Sequence, residues 1–300
     1  VAGVLITAHG TLPLPRPADR TEPAPLAGVI SRNFAAVCRQ ALALQTQVAQ
    51  LEAPSVHLEF TPSASGALAL DVSVLARALT VAHPVAIQTG EIRASTRLLF
   101  FGDAPPTHIE VAARDVRLPG GAALRGLQAT VYGRFRPGGT QFELREITAT
   151  ADALSVAGAE AQSVAAQIFP RPLPRIDATI TARIFGAPLA LRADVDLTAR
   201  SAHLRFNGEI SPQVLDVIST RVGVNVRKYY EFDALTAELG EADFAPGWKF
   251  ERLRAHVRIP RMNSYGVIME DGRAEVELQP ERFFSPDAFA RIGENFARGT

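Results

Sequence analysis

Apolar and polar side chains alternate most regularly between Pro174 and Ile210. The alternation is interrupted at Gly186-Ala187-Pro188 and ends at Asn207-Gly208, where glycine and its neighbours are typical of turns. Successive side chains of a strand point to opposite faces, so this stretch predicts an antiparallel meander with one apolar and one polar face. The residues predicted on the apolar face, including two from a later segment, are Ile176, Ile180, Ile184, Leu189, Leu191, Val195, Leu197, Leu204, Phe206, Val257 and Ile259.

Strand patterns also fill most of the chain on either side of this meander. They occur within 1–12, 55–101, 107–116, 127–135, 142–149 and 232–278. Residues 153–168 are ambiguous, because their alanines suit a helix while Val156, Val164 and Ile168 suit strands. We favour strands for this segment.

Three segments predict amphipathic helices. In Ser31–Glu52, apolar residues recur at alternating spacings of four and three, which places them on one stripe of a helix. Ser211-Pro212 and Ser285-Pro286 each combine a capping serine with a proline suited to a first helical turn. The expected buried positions of these two helices are Val214, Leu215 and Ile218, and Phe289, Ile292 and Phe296.

These patterns predict a mainly β protein with an extended, twisted antiparallel sheet that forms an open β-groove. About three amphipathic helices are expected to pack on the sheet or cap it. The alternative is a closed β-sandwich, in which a second sheet covers the apolar face. We expect an entering strand and Pro-rich connector over 1–28, a helix and β-meander unit over 29–210, and a second such unit over 211–300. The chain, which starts at Val1, is expected to be an excerpt of a larger protein.

Charge and composition narrow the classes of partner. The chain has 31 basic and 31 acidic side chains, which argues against the clustered positive charge that nucleic-acid binding requires. The single cysteine, Cys38, excludes an internal disulfide. No apolar run approaches the roughly 20 residues that a membrane-spanning helix needs.

Candidate catalytic and metal-binding patterns are weak. The six histidines lack the spacing of a metal pair, and single histidines on strand faces are expected. Asp177, Asp194 and Asp196 suggest a calcium site, but we expect them on the polar face, paired across strands with Arg183 and Arg192. The Pro-Gly-Gly sequences at 119–121 and 137–139 predict hairpin turns, not phosphate loops. Ser155, Ser163 and Ser264 lie in no nucleophile-elbow sequence, so we expect neither an enzyme nor a cofactor.

A basic and aromatic segment suggests contact with a membrane. Arg227-Lys228-Tyr229-Tyr230 combines cations with aromatic rings, a composition suited to lipid headgroups. We favour the simpler interpretation of a solvated loop after the second helix.

Several short motifs resemble a known family. Residues 75–81 and 253–259 share a strand rhythm that suggests a repeated unit. A strand ends in Phe206-Asn207-Gly208-Glu209-Ile210-Ser211-Pro212, and a short helix, Phe232-Asp233-Ala234 and Trp248-Lys249-Phe250 follow. This order resembles the AsmA-like proteins of diderm bacteria, part of the repeating β-groove, bridge-like lipid-transfer proteins that also include TamB-like proteins.

The resemblance implies a non-catalytic segment of the cell envelope. It would lie in the periplasm, held to the inner membrane by an anchor outside this segment, and the apolar residues named above would face phospholipid acyl chains. The alternative is a scaffold that assists outer-membrane protein assembly by adding a strand to a client at its sheet edge. A closed sandwich that binds a protein or a sugar is the third hypothesis.

Overall fold

The protein is mainly strand. The structure, a computed structural model, describes residues 5–10, 49–62, 68–82, 86–100, 107–118, 121–135, 142–156, 158–171, 174–222, 231–232, 234–280 and 282–299. Twenty strands in these ranges belong to one large, open, predominantly antiparallel sheet, which confirms the predicted class. The described residues contain no second sheet, so the closed β-sandwich is not supported.

The strands follow one another along the chain with a single described helix between β14 and β15. They are β1 (Leu5–Gly10), β2 (Ala49–Glu52), β3 (Ser55–Pro62), β4 (Leu68–Ala76), β5 (Ala78–Val81), β6 (Ile87–Thr89), β7 (Ile92–Phe100), β8 (Thr107–Arg117), β9 (Ala123–Phe135), β10 (Phe142–Val156), β11 (Ala159–Pro170), β12 (Arg175–Ile184), β13 (Ala187–Asp196), β14 (Ser201–Ile210), β15 (Glu231–Phe232), β16 (Leu235–Ala245), β17 (Lys249–Ser264), β18 (Val267–Gln279), β19 (Arg282–Ile292) and β20 (Asn295–Gly299). The helix is α1 (Pro212–Val222).

The prediction of about three helices is wrong for the described chain, which has only α1. The first predicted helix, Ser31–Glu52, lies largely outside the described residues, but its last four residues form β2. The third predicted helix is replaced by β19, a turn and β20. The strands predicted for the ambiguous segment 153–168 are present as the end of β10 and most of β11.

The Ser285-Pro286 motif forms a strand irregularity and not a helix cap. The Ser285 hydroxyl donates to the backbone oxygen of Glu275 at 2.6 Å, across the register shift between β18 and β19. Phe289 and Phe296, expected on one side of a helix, instead stack at 5.3 Å between β19 and β20. A spacing of seven residues thus suits a strand–turn–strand as well as two turns of helix.

The chain divides into two compact units. Unit 1 comprises Val1–Gly120 and Arg125–Thr148, and unit 2 comprises Gly121–Leu124 and Ala149–Thr300. In unit 1, β3, β4, β7 and β8 pair in that order, and β2, β5, β6 and β8 form a second series. β1 runs parallel to β3 at the edge of the first series.

The two series of unit 1 are the halves of strands that bend at aligned positions. Ala53, with a φ of 46°, separates β2 from β3, and Arg77 separates β4 from β5. The Arg77 N–H donates to Glu52 O at 3.0 Å, and the Gly90 N–H donates to Asp115 O at 2.7 Å. Backbone hydrogen bonding therefore continues across the bend, as expected where every buried polar group needs a partner.

Unit 2 is a continuous meander from β11 to β14 that proceeds through β16 to β20. It also contains a row of bulges. Ser163, with a φ of 51°, occupies an irregularity of β11 opposite Ala182, which pairs with Leu189. Leu189 pairs with Gly208, at a register shift between β14 and β16. Bulges bend a strand and increase its twist, so a row of them curves unit 2 along one line.

A cross-strand contact between Phe206 and Gly240 fixes one point of this row. The two residues are paired between β14 and β16, and a Cβ atom at Gly240 would overlap the Phe206 ring. The ring therefore lies over the glycine backbone. This arrangement protects a strand glycine that would otherwise leave a gap in the face.

We expect Gly240→Ala to destabilise the protein by about 1–3 kcal/mol, the usual cost of forcing an extra group into a packed site. Thermal or denaturant unfolding measures the loss. Gly299→Ala is the matched control, because a Cβ there meets nothing within 4 Å. In a Phe206→Ala background the Gly240→Ala cost should shrink, and an undiminished cost would contradict the contact.

Candidate functional site

Cross-strand pairing brings the predicted apolar residues to one face of unit 2. Ile176 pairs with Val195 and Ile180 pairs with Leu191, both between β12 and β13. Leu191 pairs in turn with Phe206 of β14. Directly paired residues project to the same side of a sheet, so these side chains share one surface, here called the apolar face.

Ten of the eleven predicted residues lie on the apolar face. The same pairing rule adds Ile184, Leu189, Leu204, Val257 and Ile259. Leu197 lies outside the strands, in the turn after β13, where its N–H donates to Pro174 O at 3.1 Å. The two-residue period thus agrees with the strand pairing for ten of these residues, and Leu197 lies one residue beyond the end of β13.

The buried positions of unit 2 are mostly small. Its buried alanines are Ala151, Ala153, Ala161, Ala178, Ala187, Ala193, Ala237, Ala242, Ala255 and Ala290. By contrast Ile180, Leu191, Leu204 and Phe206 are only half-buried, although Leu235 and Leu278 are buried. On the apolar face, the buried positions are therefore mostly alanines, and many of the larger side chains between them are half-buried.

Helix α1 covers one part of the apolar face. Leu215 of α1 packs against a buried cluster of Leu235, Ala255 and Val257. Val257, a predicted ligand-facing residue, is thus part of a covered core. A second cluster, made by Ala151, Ala161 and Val164, contacts Ile180 and Ile184 at the other side of the unit.

The opposite face of β12 and β13 carries ion pairs. Arg171 Nε donates to Asp177 Oδ2 at 2.8 Å, and the same guanidinium lies 3.9 Å from Asp194. Arg175 Nε lies 3.5 Å from Asp196 Oδ2. The aspartates are thus on the polar face as predicted, but the cations beside them are Arg171 and Arg175, not the expected Arg183 and Arg192.

These aspartates have structural roles that explain their spacing. Asp196 accepts the backbone N–H groups of Thr198 and Ala199 at 2.9 and 2.8 Å, which closes the turn after β13. The Ala199 hydrogen bond is the main cause that lowers the pKa of Asp196. Within the described ranges, no group of three or more His, Cys, Asp or Glu side chains is arranged to hold a metal ion.

Sequence reasoning missed a three-residue network on the polar face. His203 Nδ1 lies 2.7 Å from Asp243 Oδ1, and Arg252 donates to Asp243 Oδ2 at 2.8 Å. The hydrogen bond from His203, followed by that from Arg252, holds the pKa of Asp243 below its usual range. The three residues lie on β14, β16 and β17, so only the register between strands far apart in sequence reveals the network.

A second carboxylate of this face is nearly enclosed. Glu277 is 5% exposed and accepts a hydrogen bond from Arg254 Nε at 2.8 Å and another from Gln279 at 2.7 Å. These hydrogen bonds, that of Arg254 first, lower the pKa of Glu277. A buried charge needs such partners, and both come from neighbouring strand positions.

A cavity of about 440 Å³ opens where the strands of unit 2 end. It is lined by Phe185, Gly186, Ala187, Glu209, Ser211, Pro212, Gln213, Phe232 and Ala234. Ile184 and Ala187 are the last pair of β12 and β13, and Ile210 and Leu235 are the last pair of β14 and β16. The cavity therefore lies at the rim of the apolar face, beside the first turn of α1.

Two predicted features cannot be placed. Arg227-Lys228-Tyr229-Tyr230 and most of the two Pro-Gly-Gly sequences lie outside the described residues. Of the other singled-out residues, Ser163 occupies the bulge of β11 and His203 belongs to the network with Asp243.

Comparison with known proteins leaves the family assignment open. No protein-family model, no curated protein and no solved structure matches the chain. Among the residues that the structure describes, no helix is long and apolar enough to cross a bilayer, since α1 has only 11 residues.

The Asp243 network predicts a specific dependence of stability on pH. Because its pKa is lowered by folding, Asp243 stabilises the folded state above the ordinary carboxylate pKa of about 3.9, and this contribution disappears as the pH falls below that value. We expect Asp243→Asn to lower the free energy of unfolding at neutral pH by about 1–2 kcal/mol.

Denaturant unfolding between pH 7 and pH 3 tests this expectation. The difference between wild type and Asp243→Asn should narrow only once the pH falls below about 4. Asp287→Asn is the control, because the pair of Asp287 with Arg298 is exposed at the sheet edge and contributes little. A difference that stays constant over this range would show that the charge of Asp243 is not involved.

Proposed function

We propose that unit 2 shelters phospholipid acyl chains on its apolar face and carries out no chemistry. The observation that supports this most directly is the distribution of side-chain size. Alanines fill most of the buried positions, while most of the larger side chains on the face, among them Ile180, Leu191, Leu204 and Phe206, remain half-buried. Partly exposed aliphatic side chains in one continuous surface favour an apolar ligand over water.

The dimensions of the face suit an acyl chain. The paired residues Ile180, Leu191, Phe206 and Gly240 form one row across four strands, before the part of the face that α1 covers. With strands about 4.8 Å apart, the row is roughly 14 Å long. This length is close to half of the ~30 Å hydrocarbon core of a bilayer. Each CH₂ that leaves water contributes about 0.8 kcal/mol, so a chain along the row is stabilised at many points.

The resemblance to AsmA-like proteins supplies the cellular setting of the proposal. An open β-groove would shelter lipid in the periplasm of a diderm bacterium, as part of intermembrane lipid transport and outer-membrane homeostasis. Attachment to the inner membrane would come from a segment outside this chain, and a partner protein at the outer membrane would complete the route.

The decisive variant is Ile180→Glu, which places a charge in the middle of the apolar face. Bound phospholipid, measured by native mass spectrometry and lipid extraction after expression in a diderm host, should fall by about tenfold or more, since each ~1.4 kcal/mol of lost affinity is a factor of ten. Thr179→Glu is the matched control, because Thr179 is the exposed neighbour on the polar face, opposite Arg192.

Circular dichroism and thermal unfolding separate loss of ligand from loss of fold. Ile176→Glu, at the end of β12, provides a second charged variant if Ile180→Glu unfolds through its contacts with the Ala151 cluster. A stable wild-type protein that carries no lipid contradicts the proposal. Under the alternative, an assembly scaffold that pairs through a strand edge, Ile180→Glu would retain client binding.

A further inference from the structure

We propose that the cavity at the rim of the apolar face binds the zwitterionic headgroup of a phospholipid, an ammonium joined to a phosphate ester. This inference rests on the proposed function, because it places the headgroup of the lipid whose chains lie on the apolar face. Its basis is the chemistry of Phe185, Glu209, Ser211, Gln213 and Phe232, which line the cavity together.

One end of the cavity suits an anion. The first turn of α1 contains no acidic residue. Pro212 has no N–H and the Val214 N–H donates to Ser211 O at 3.0 Å, so the Gln213 N–H is the donor at this helix end without a partner within the helix. Ser211, which precedes the helix, is 8% exposed, and its hydroxyl has no hydrogen-bond partner among the described residues. A capping serine normally accepts a backbone N–H of the first turn, and a buried hydroxyl without a partner costs free energy. A phosphate ester would accept hydrogen bonds from this hydroxyl and from the Gln213 N–H.

The other groups of the cavity suit a cation. The acidic residue Glu209 and the aromatic residues Phe185 and Phe232 also line the cavity. Phe185 is 42% exposed and has a φ of 50°, so a bulky ring is held in a backbone conformation that it rarely adopts. A carboxylate and aromatic faces are the groups that recognise an alkylammonium.

The two halves together select for a zwitterion. Glu209 would repel a simple anion such as phosphate, and the helix N-terminus would repel a simple cation. A headgroup that carries both charges complements both. The location of the cavity also agrees with a headgroup site. The cavity lies where the β12–β13 and β14–β16 pairs end. A lipid with its chains on the apolar face must place its headgroup where that face ends.

Uptake from mixed vesicles tests the inference. The probe is an equimolar mixture of phosphatidylethanolamine and phosphatidylglycerol, and the readout is the ratio of the two lipids in the reisolated protein. We expect phosphatidylethanolamine to be enriched by about tenfold, the scale of one or two charge-assisted hydrogen bonds. Glu209→Gln should bring the ratio toward that of the vesicles and leave the total lipid bound unchanged. Ser211→Ala removes a donor to the phosphate that both lipids carry, so it should weaken the binding of both lipids and leave their ratio unchanged.

Glu294→Gln controls for the lost charge, because Glu294 is exposed in the turn before β20 and does not line the cavity. Thermal unfolding controls for the fold, and Ser211→Ala should not destabilise a protein whose serine hydroxyl has no partner. Binding of soluble glycerophosphoethanolamine, followed by NMR, distinguishes a free headgroup from an intact lipid.

The outcomes separate this inference from the proposed function. Lipid taken up in the proportions of the vesicles overturns the headgroup site and leaves the acyl-chain face standing. Glycerophosphoethanolamine binding that Glu209→Gln abolishes, without lipid uptake, supports the site and overturns the acyl-chain function. Neither lipid nor headgroup bound overturns both.

Discussion

The register between neighbouring strands is the constraint on which unit 2 depends. Side chains on a strand alternate between faces, so a slip of one residue would exchange the apolar side chains for charged ones. The pairing of Ile180 with Leu191 and of Asp177 with Asp194 is set by the same ladder between β12 and β13. Ion pairs on the polar face, such as Arg171 with Asp177, therefore also help to fix the position of the apolar face.

Bulges curve the sheet, and they also interrupt the two-residue alternation of side chains between its faces. In β16, a bulge between Ala237 and Leu239 shifts the alternation by one residue. Leu239 is consequently 51% exposed, on the side of His256, and Gly240 takes the place on the apolar face beneath Phe206. Alternation read without the bulge would assign Leu239 to the core.

The effect of bulges on the alternation of side chains explains which parts of the structure could be predicted from the sequence. The meander from β12 to β14 has unbroken two-residue periods and tight turns, so its residues predicted both the strands and the shared face. Ser285-Pro286 misled because serine followed by proline suits a bulge as well as a helix start, and only the neighbouring strand at Glu275 decides between them. The network of His203, Asp243 and Arg252 was not predictable, since its members come from three strands whose register the sequence does not state.

The small size of the buried residues explains why the apolar face of unit 2 is only partly covered. Alanine side chains let a ligand or another segment approach the sheet closely, but they supply too little apolar area to hold a second layer of structure against it. The buried alanines concerned are Ala178, Ala193, Ala242 and Ala255. Among the described residues, α1 provides such a layer around Leu235 and Val257. Beyond that cluster, closing the face would require large side chains from elsewhere, and the bulge row bends the strands where a flat second sheet would have to pack. An apolar chain without backbone polar groups meets this surface at lower cost than a strand would, because it brings no N–H or C=O that needs a partner.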